Sequence, residues 1–271
     1  MVKPVKDFYD ANVEYEWNRL FESPYHKLEF DTTLYFLKNY LPKKGLILDA
    51  GGGPGRYSVE LAKMNYDVVL LDLSSENVKF AKKEVGKLGL GNNVREIVEG
   101  SILDLSRFES NSFDSVLCLG GPLSHVKGGK NRKKAVKELI RVCRNKGTIF
   151  VSVISKFGTM IQSPNWPDEI ADTKHWNNFV KKGDDNMFHK DYYAHFFTPE
   201  ELEELFKNES VKIVDLVALE GLSNPLHELV NNMKKNNPKA WKNWIKTHYE
   251  LIRNPVIVNT SAHFMIIVNK I

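Results

Sequence analysis

The feature that most constrains this chain is an alternation. From residue 46 onward, short apolar runs rich in β-formers are separated by amphipathic helical patterns. "LILDA" (46–50), "DVVLLDL" (67–73), "VREIVEGSI", "FDSVLCLG", "GTIFVSVIS", "VKIVDLVAL" and "HFMIIVNKI" read as strands. Helices fall between most of them, at "GRYSVELAKMN" (55–65), "SSENVKFAKKEVGKLGL", "KNRKKAVKELIRVCRN" and "TPEELEELFKN". The last opens on Thr198 as cap, Pro199 at the first helical position and Glu201 at the third. Strands that alternate with helices in this way pack as an α/β protein with a doubly wound, mostly parallel sheet.

Three segments stand outside the alternation, within an expected single domain covering 1–271. Residues 1–45 read as a helical cap of two helices, the second starting at Ser23 and Pro24. The core proper runs over 46–155. Residues 156–198 form a lid insertion rich in Trp, His, Phe and Tyr, and 199–271 return to the core around a second helical insertion at 222–260. Segments near forty residues are too long for plain loops and are usually functional.

Composition excludes several classes. The net charge of +4 is modest, and the lysines are interleaved with glutamates, which argues against a nucleic-acid groove. Lys234 to Lys246 is the densest basic stretch, but Trp241, Trp244 and Ile245 share one helical face there, as a packed surface requires. Cys118 and Cys143 each sit in an apolar run and read as buried thiols; no metal-ligand spacing occurs, so no metal is expected. No apolar run reaches the roughly 20 residues of a membrane span, and the first residues lack a secretory pattern. The chain reads as cytoplasmic, a monomer or homodimer.

Between the first strand and its helix lies "LDAGGGPGRYS" (48–58). In an open parallel sheet, ligands sit beyond the carboxyl ends of the strands where strand order reverses, and glycines there let backbone approach a ligand. Arg56 stands where a nicotinamide fingerprint needs a small residue, and no GK[ST] follows for a P-loop. The pattern that fits is DxGxGxG: Asp49, Gly51, Gly53, Gly55. An acid beside the turn repels a diphosphate and suits a cationic amino group. Asp72, ending the next strand, is placed to accept from two ribose hydroxyls. The site asks for a nucleoside with a free ribose and a cationic tail, and S-adenosylmethionine (SAM) is such a molecule.

On "LDAGGGPGRYSVELA", "VVLLDLS" and "NSFDSVLCLGGPLSH" the chain resembles a class I SAM-dependent methyltransferase, of the group of ubiquinone/menaquinone-biosynthesis-type and small-molecule enzymes. The resemblance spans 46 to about 155 and extends through "HFFTPEEL" to the final strand. It implies a Rossmann-like sheet of seven strands with the last antiparallel, and SAM as cofactor with S-adenosylhomocysteine (SAH) as product. It further implies that Asp49, Gly51 and Gly53 hold the methionine part, Asp72 the ribose and Leu73 the adenine face, with Leu119 near the sulfonium. The family often carries an aspartate after the third strand. Here Ser101 stands in that place, and Ser101 with the Ile102 backbone would serve adenine.

Methyl transfer from a sulfonium is an in-line displacement in which positioning and a dry pocket supply most of the rate. His125, at the exit of the fourth strand, and His189 and His195, in the lid insertion, are the candidate bases. "NPPY", the mark of enzymes that methylate exocyclic amines of bases, is missing. The expectation is a small-molecule acceptor enclosed by both insertions and the N-terminal helices, which carry Tyr9, Tyr15, Trp17 and Arg19. A methyltransferase acting on tRNA or protein, or a SAM-binding module without catalysis, is the alternative.

Overall fold

A computed structural model describes residues 3–185 and 193–271. Five strands run parallel as neighbours: β1 (Leu46–Ala50), β2 (Asp67–Asp72), β3 (Val94–Glu99), β4 (Phe113–Cys118) and β5 (Cys143–Ile154). A two-residue ladder, β6 (Asp184–Asp185) with β7 (Ala194–His195), stands apart. The main sheet is completed by β8 (Val211–Ala218) and β9 (His263–Lys270), in the order β3-β2-β1-β4-β5-β9-β8. β9 is antiparallel to both neighbours, so β8 runs with the other five. Order reverses between β1 and β4, which puts a crevice at their carboxyl ends.

The strands are buried on both faces, as near-continuous apolar runs dictate: Ile47, Leu48, Leu70, Leu71, Val116, Leu117 and Phe150 have no exposed surface. On the flanks lie α4 (Arg56–Lys63), α5 (Ser75–Lys87), α6 (Gly129–Val142) and α10 (Pro199–Phe206). Ser74 caps α5 by accepting from the Asn77 amide, and Thr198 and Glu201 form a reciprocal capping box on α10. Val59, Leu61 and Ala62 of α4 face the core. Cys118 and Cys143 are free, buried thiols. β5 takes the last three residues of the helical pattern in the sequence, because Cys143 pairs with Phe113 of β4.

The N-terminal cap is three helices rather than two: α1 (Lys3–Ala11), α2 (Val13–Arg19) and α3 (Pro24–Tyr40). Asn12 breaks the first pair with a non-helical backbone, and Ser23 caps α3 ahead of Pro24. The first insertion holds α7 (Lys156–Gln162), α8 (Pro167–Ala171) and α9 (Thr173–Lys182); the second holds α11 (His227–Asn236), α12 (Pro238–Leu251) and α13 (Pro255–Thr260). Trp241 and Ile245 pack with Val230 onto Tyr25 and Leu28 of α3, so this insertion braces the cap. Among the described residues no helix is long and apolar enough to cross a membrane.

Candidate active site

A cavity of about 190 Å³ lies at the carboxyl ends of β1, β2 and β4, roofed by the cap. Gly51, Gly52 and Gly53 form its floor, Asp72 and Leu73 one wall, and Ser101, Ile102 and Leu119 the rest of the core side. The roof carries Val5, Lys6 and Tyr9 from α1 with Glu16 and Arg19 from α2. The glycine turn is held by the Leu71 carbonyl, which accepts from the amides of Gly51 (2.6 Å) and Gly52 (3.2 Å). Gly51 has φ 79°, and a Cβ there would stand 2.6 Å from the Pro122 ring. Gly53, also left-handed at φ 57°, would meet protein only at Asn77, 3.9 Å away.

Asp72 is buried at the rim. Its Oδ2 accepts from the Gly53 amide (2.8 Å), and its Oδ1 from the Ser74 amide (2.9 Å) and Asn77 Nδ2 (3.1 Å). Burial raises its carboxyl above the usual range, and those three donors oppose the rise. A carboxylate has about four acceptor sites, so with these three donors in place one remains, on Oδ2, for a ribose hydroxyl.

Asp49 alone of the cofactor candidates does not line the cavity. It packs beneath Gly52, whose added Cβ would stand 2.6 Å from Asp49 Oδ2. That oxygen accepts from Ser58 Oγ (2.7 Å), while Oδ1 is buried without a partner among the described residues. Burial pushes its carboxyl up to about 6; the Ser58 hydroxyl opposes this and the Asp72 charge adds to it. The turn thus rests on an incompletely paired acid. The bare glycine floor, the acid-tipped second strand and the apolar Leu73, Ile102 and Leu119 fit a nucleoside with a cationic tail.

The three histidines of the sequence reading separate. His125, in the 3₁₀ turn Pro122–His125 after β4, lines the cavity. Its Nε2 meets Tyr9 Oη at 2.8 Å and its Nδ1 meets the Tyr193 carbonyl oxygen at 3.0 Å. His195 is buried in β7 with Nδ1 on Asp184 Oδ1 (2.8 Å), and it does not line the cavity. His189 lies outside the described residues. Nor do described residues of either insertion line the cavity: the first touches its rim through Tyr193, and the second packs on α3.

Sequence reasoning missed Glu16 in the roof, Asn77 in the wall, and a largely buried ion network behind the roof. Arg19 donates to Glu29 through Nη1 (2.7 Å) and Nη2 (3.4 Å), with Glu16 3.5 Å from its Nε. His263 Nδ1 is 3.8 Å from Glu29 and 2.8 Å from Glu220 Oε1. Burial works against the Glu29 carboxylate, yet Arg19 and then His263 hold it below its usual range. Burial likewise pushes the His263 imidazole down, and Glu29 and Glu220 more than offset this and raise it. Glu29, Glu220 and His263 bring one ligand atom each within 4.8 Å of one another. Arg19 already compensates Glu29, so the cluster is a closed charge network. Its members lie too far apart in sequence for spacing to reveal them. Asn77 had a local signal, as the third residue after the capping Ser74.

Residues 48–151 match the family described as a methyltransferase domain. The chain is 26% identical over 202 residues to a putative methyltransferase, YqeM, of Bacillus subtilis, covering 66% of this chain and 78% of that one. It is 30% identical over 118 residues to a glycine/sarcosine N-methyltransferase of Halorhodospira halochloris, spanning 43% of each. A SAM-dependent methyltransferase structure from Methanosarcina mazei superposes with a TM-score of 0.58 at 22% identity, over 87% of this chain and 97% of the other.

Proposed function

We propose that this chain, whose residues 48–151 match a methyltransferase domain, takes SAM as its methyl donor and methylates a small molecule held under the N-terminal cap. The observation that carries this reading is the roof. α1 and α2 lie over the glycine floor, so the reacting end is reached through a covered cavity. A polynucleotide needs an open basic groove. Here the charges are mixed, with Lys6, Arg19, Arg56 and Lys127 set against Glu16 and Asp72. The glycine/sarcosine N-methyltransferase relative acts, by its name, on small amines.

In this reading Gly51 and Gly53 admit the methionine part against bare backbone, and Asp49 supplies negative potential from beneath the turn. Asp72 accepts from a ribose hydroxyl through the remaining site on Oδ2. Leu73, Ile102 and Ser101 bound the adenine, and Leu119 borders the sulfonium. The bound donor supplies an electrophilic methyl group. The chain's own work is to align the acceptor with it, exclude water and take a proton, with His125 as the base. Of the two lid histidines once in contention, His195 is buried on Asp184 away from the cavity.

The test is methyl transfer from labelled SAM to glycine, sarcosine, the small-molecule fraction of a cell extract, bulk protein and tRNA. Label in a small product supports the reading. Label only in tRNA or protein overturns it.

A further inference from the structure

We infer that Tyr9 and His125 form a proton relay, and that the acceptor is an amine or hydroxyl that must shed a proton as it is methylated. The inference rests on the proposed function and names its substrate class. A carbonyl oxygen only accepts, so the 3.0 Å contact to the Tyr193 carbonyl requires hydrogen on His125 Nδ1. In neutral imidazole Nε2 is then an acceptor, and the Tyr9 hydroxyl, 2.8 Å away, is its donor. Both side chains line the cavity, and their rings meet edge to face at 5.5 Å. The second contact of the imidazole thus fixes its tautomer and aims its basic nitrogen at the tyrosine.

This geometry makes the tyrosine oxygen the group that meets the acceptor. The acceptor's lone pair forms the new bond to carbon as the carbon–sulfur bond breaks with its electrons left on sulfur. The acceptor's proton passes to Tyr9 Oη, and the proton that Tyr9 held passes to His125 Nε2. Tyr9 ends neutral and His125 becomes an imidazolium whose Nδ1–H stays on the Tyr193 carbonyl. Among the described residues, the charged groups around the pair are Lys6 and Lys127, which line the same cavity, and Arg132 and Asp184, which hold the Tyr193 hydroxyl. A nucleophile without a removable proton, such as a thioether or tertiary amine, has no use for such a relay.

Two measurements test this on the full chain. Nitrogen NMR of the SAH complex reads the His125 tautomer. Nδ1–H is expected, with Nε2 shifting in Tyr9→Phe; an Nε2–H form overturns the relay. Labelled transfer to glycine, sarcosine and the small-molecule fraction then compares wild type with Tyr9→Phe. The variant is expected to lose about 100-fold or more in kcat, with SAH affinity within about threefold of wild type. The wild-type rate should fall on acidification as His125 takes a proton, and this limb should vanish in the variant. An active wild type whose kcat and acid limb survive in Tyr9→Phe overturns the relay alone. A wild type that transfers label to no small molecule overturns the proposed function and the relay with it.

Discussion

The Gly53 amide donates to Asp72 Oδ2 at 2.8 Å, so the glycine turn after β1 and the acid at the end of β2 are one unit. Asn77, one turn into α5, steadies the other oxygen at 3.1 Å. Removing it should loosen the carboxylate without unfolding the turn. Asn77→Ala is expected to weaken SAH binding by about 5- to 30-fold, in proportion to one hydrogen bond to a charged group. Calorimetry on the two proteins checks this, and equal affinities contradict it.

The two floor glycines should fail differently. A Cβ at Gly51 runs into Pro122 at 2.6 Å, so Gly51→Ala disturbs the turn itself and lowers the melting temperature. At Gly53 the nearest protein atom is 3.9 Å away. Gly53→Ala therefore loses about 1–2 kcal/mol to its left-handed backbone, stays folded, and loses cofactor affinity. Thermal melts followed by SAH titration separate the two outcomes.

Asp49 makes apo stability depend on pH. Its carboxyl titrates at about 6 in the fold against 3.8 for the ordinary group. A raised carboxyl pKa favours the folded state fully below the unfolded value, and that contribution is lost as pH rises through the folded one. Burying the anion at about pH 8 therefore costs on the order of 3 kcal/mol. Asp49→Asn should gain about 1–3 kcal/mol on wild type between roughly pH 5 and 8. Denaturant unfolding of cofactor-free protein at both pH values measures it, and a constant difference contradicts the assignment.

The roof depends on the Arg19–Glu29 pair, a part-buried guanidinium joined to a buried carboxylate by two hydrogen bonds. Glu29→Gln leaves a part-buried guanidinium with Glu16 as its acidic neighbour among the described residues and should destabilise by about 1–3 kcal/mol. The double variant Glu29→Gln, Arg19→Gln should lose less than the sum of the singles. Urea unfolding of the four proteins gives the coupling, and strict additivity contradicts it.

How much of this was legible in the sequence follows from range. The strand at 46–50, the strand read at 67–73 and found over 67–72, the cap at Ser74 and the glycine turn are written in contiguous residues, and each appears at its pattern. The break at Asn12 was hidden because residues on either side of it are helix-compatible. Asp49 was readable as an acid beside the glycines, but not its position beneath Gly52, which depends on how β1 enters the turn. His125 could be nominated from its place after β4. Its partner Tyr9 lies 116 residues away, and Arg19–Glu29–His263 joins α2 and α3 to the last strand. Contacts of that reach are set by the packing of the cap on the sheet, which no local period encodes.

The central claim is that SAM sits on the glycine floor with its ribose on Asp72. Calorimetric titration of SAH into wild type and Asp72→Ala, each shown to be folded by circular dichroism, tests it most directly. Losing the ribose contact together with the carboxylate that holds the Gly53 amide predicts a loss of about 2–4 kcal/mol, or roughly 30- to 1000-fold in affinity. Equal affinities in two folded proteins would contradict it.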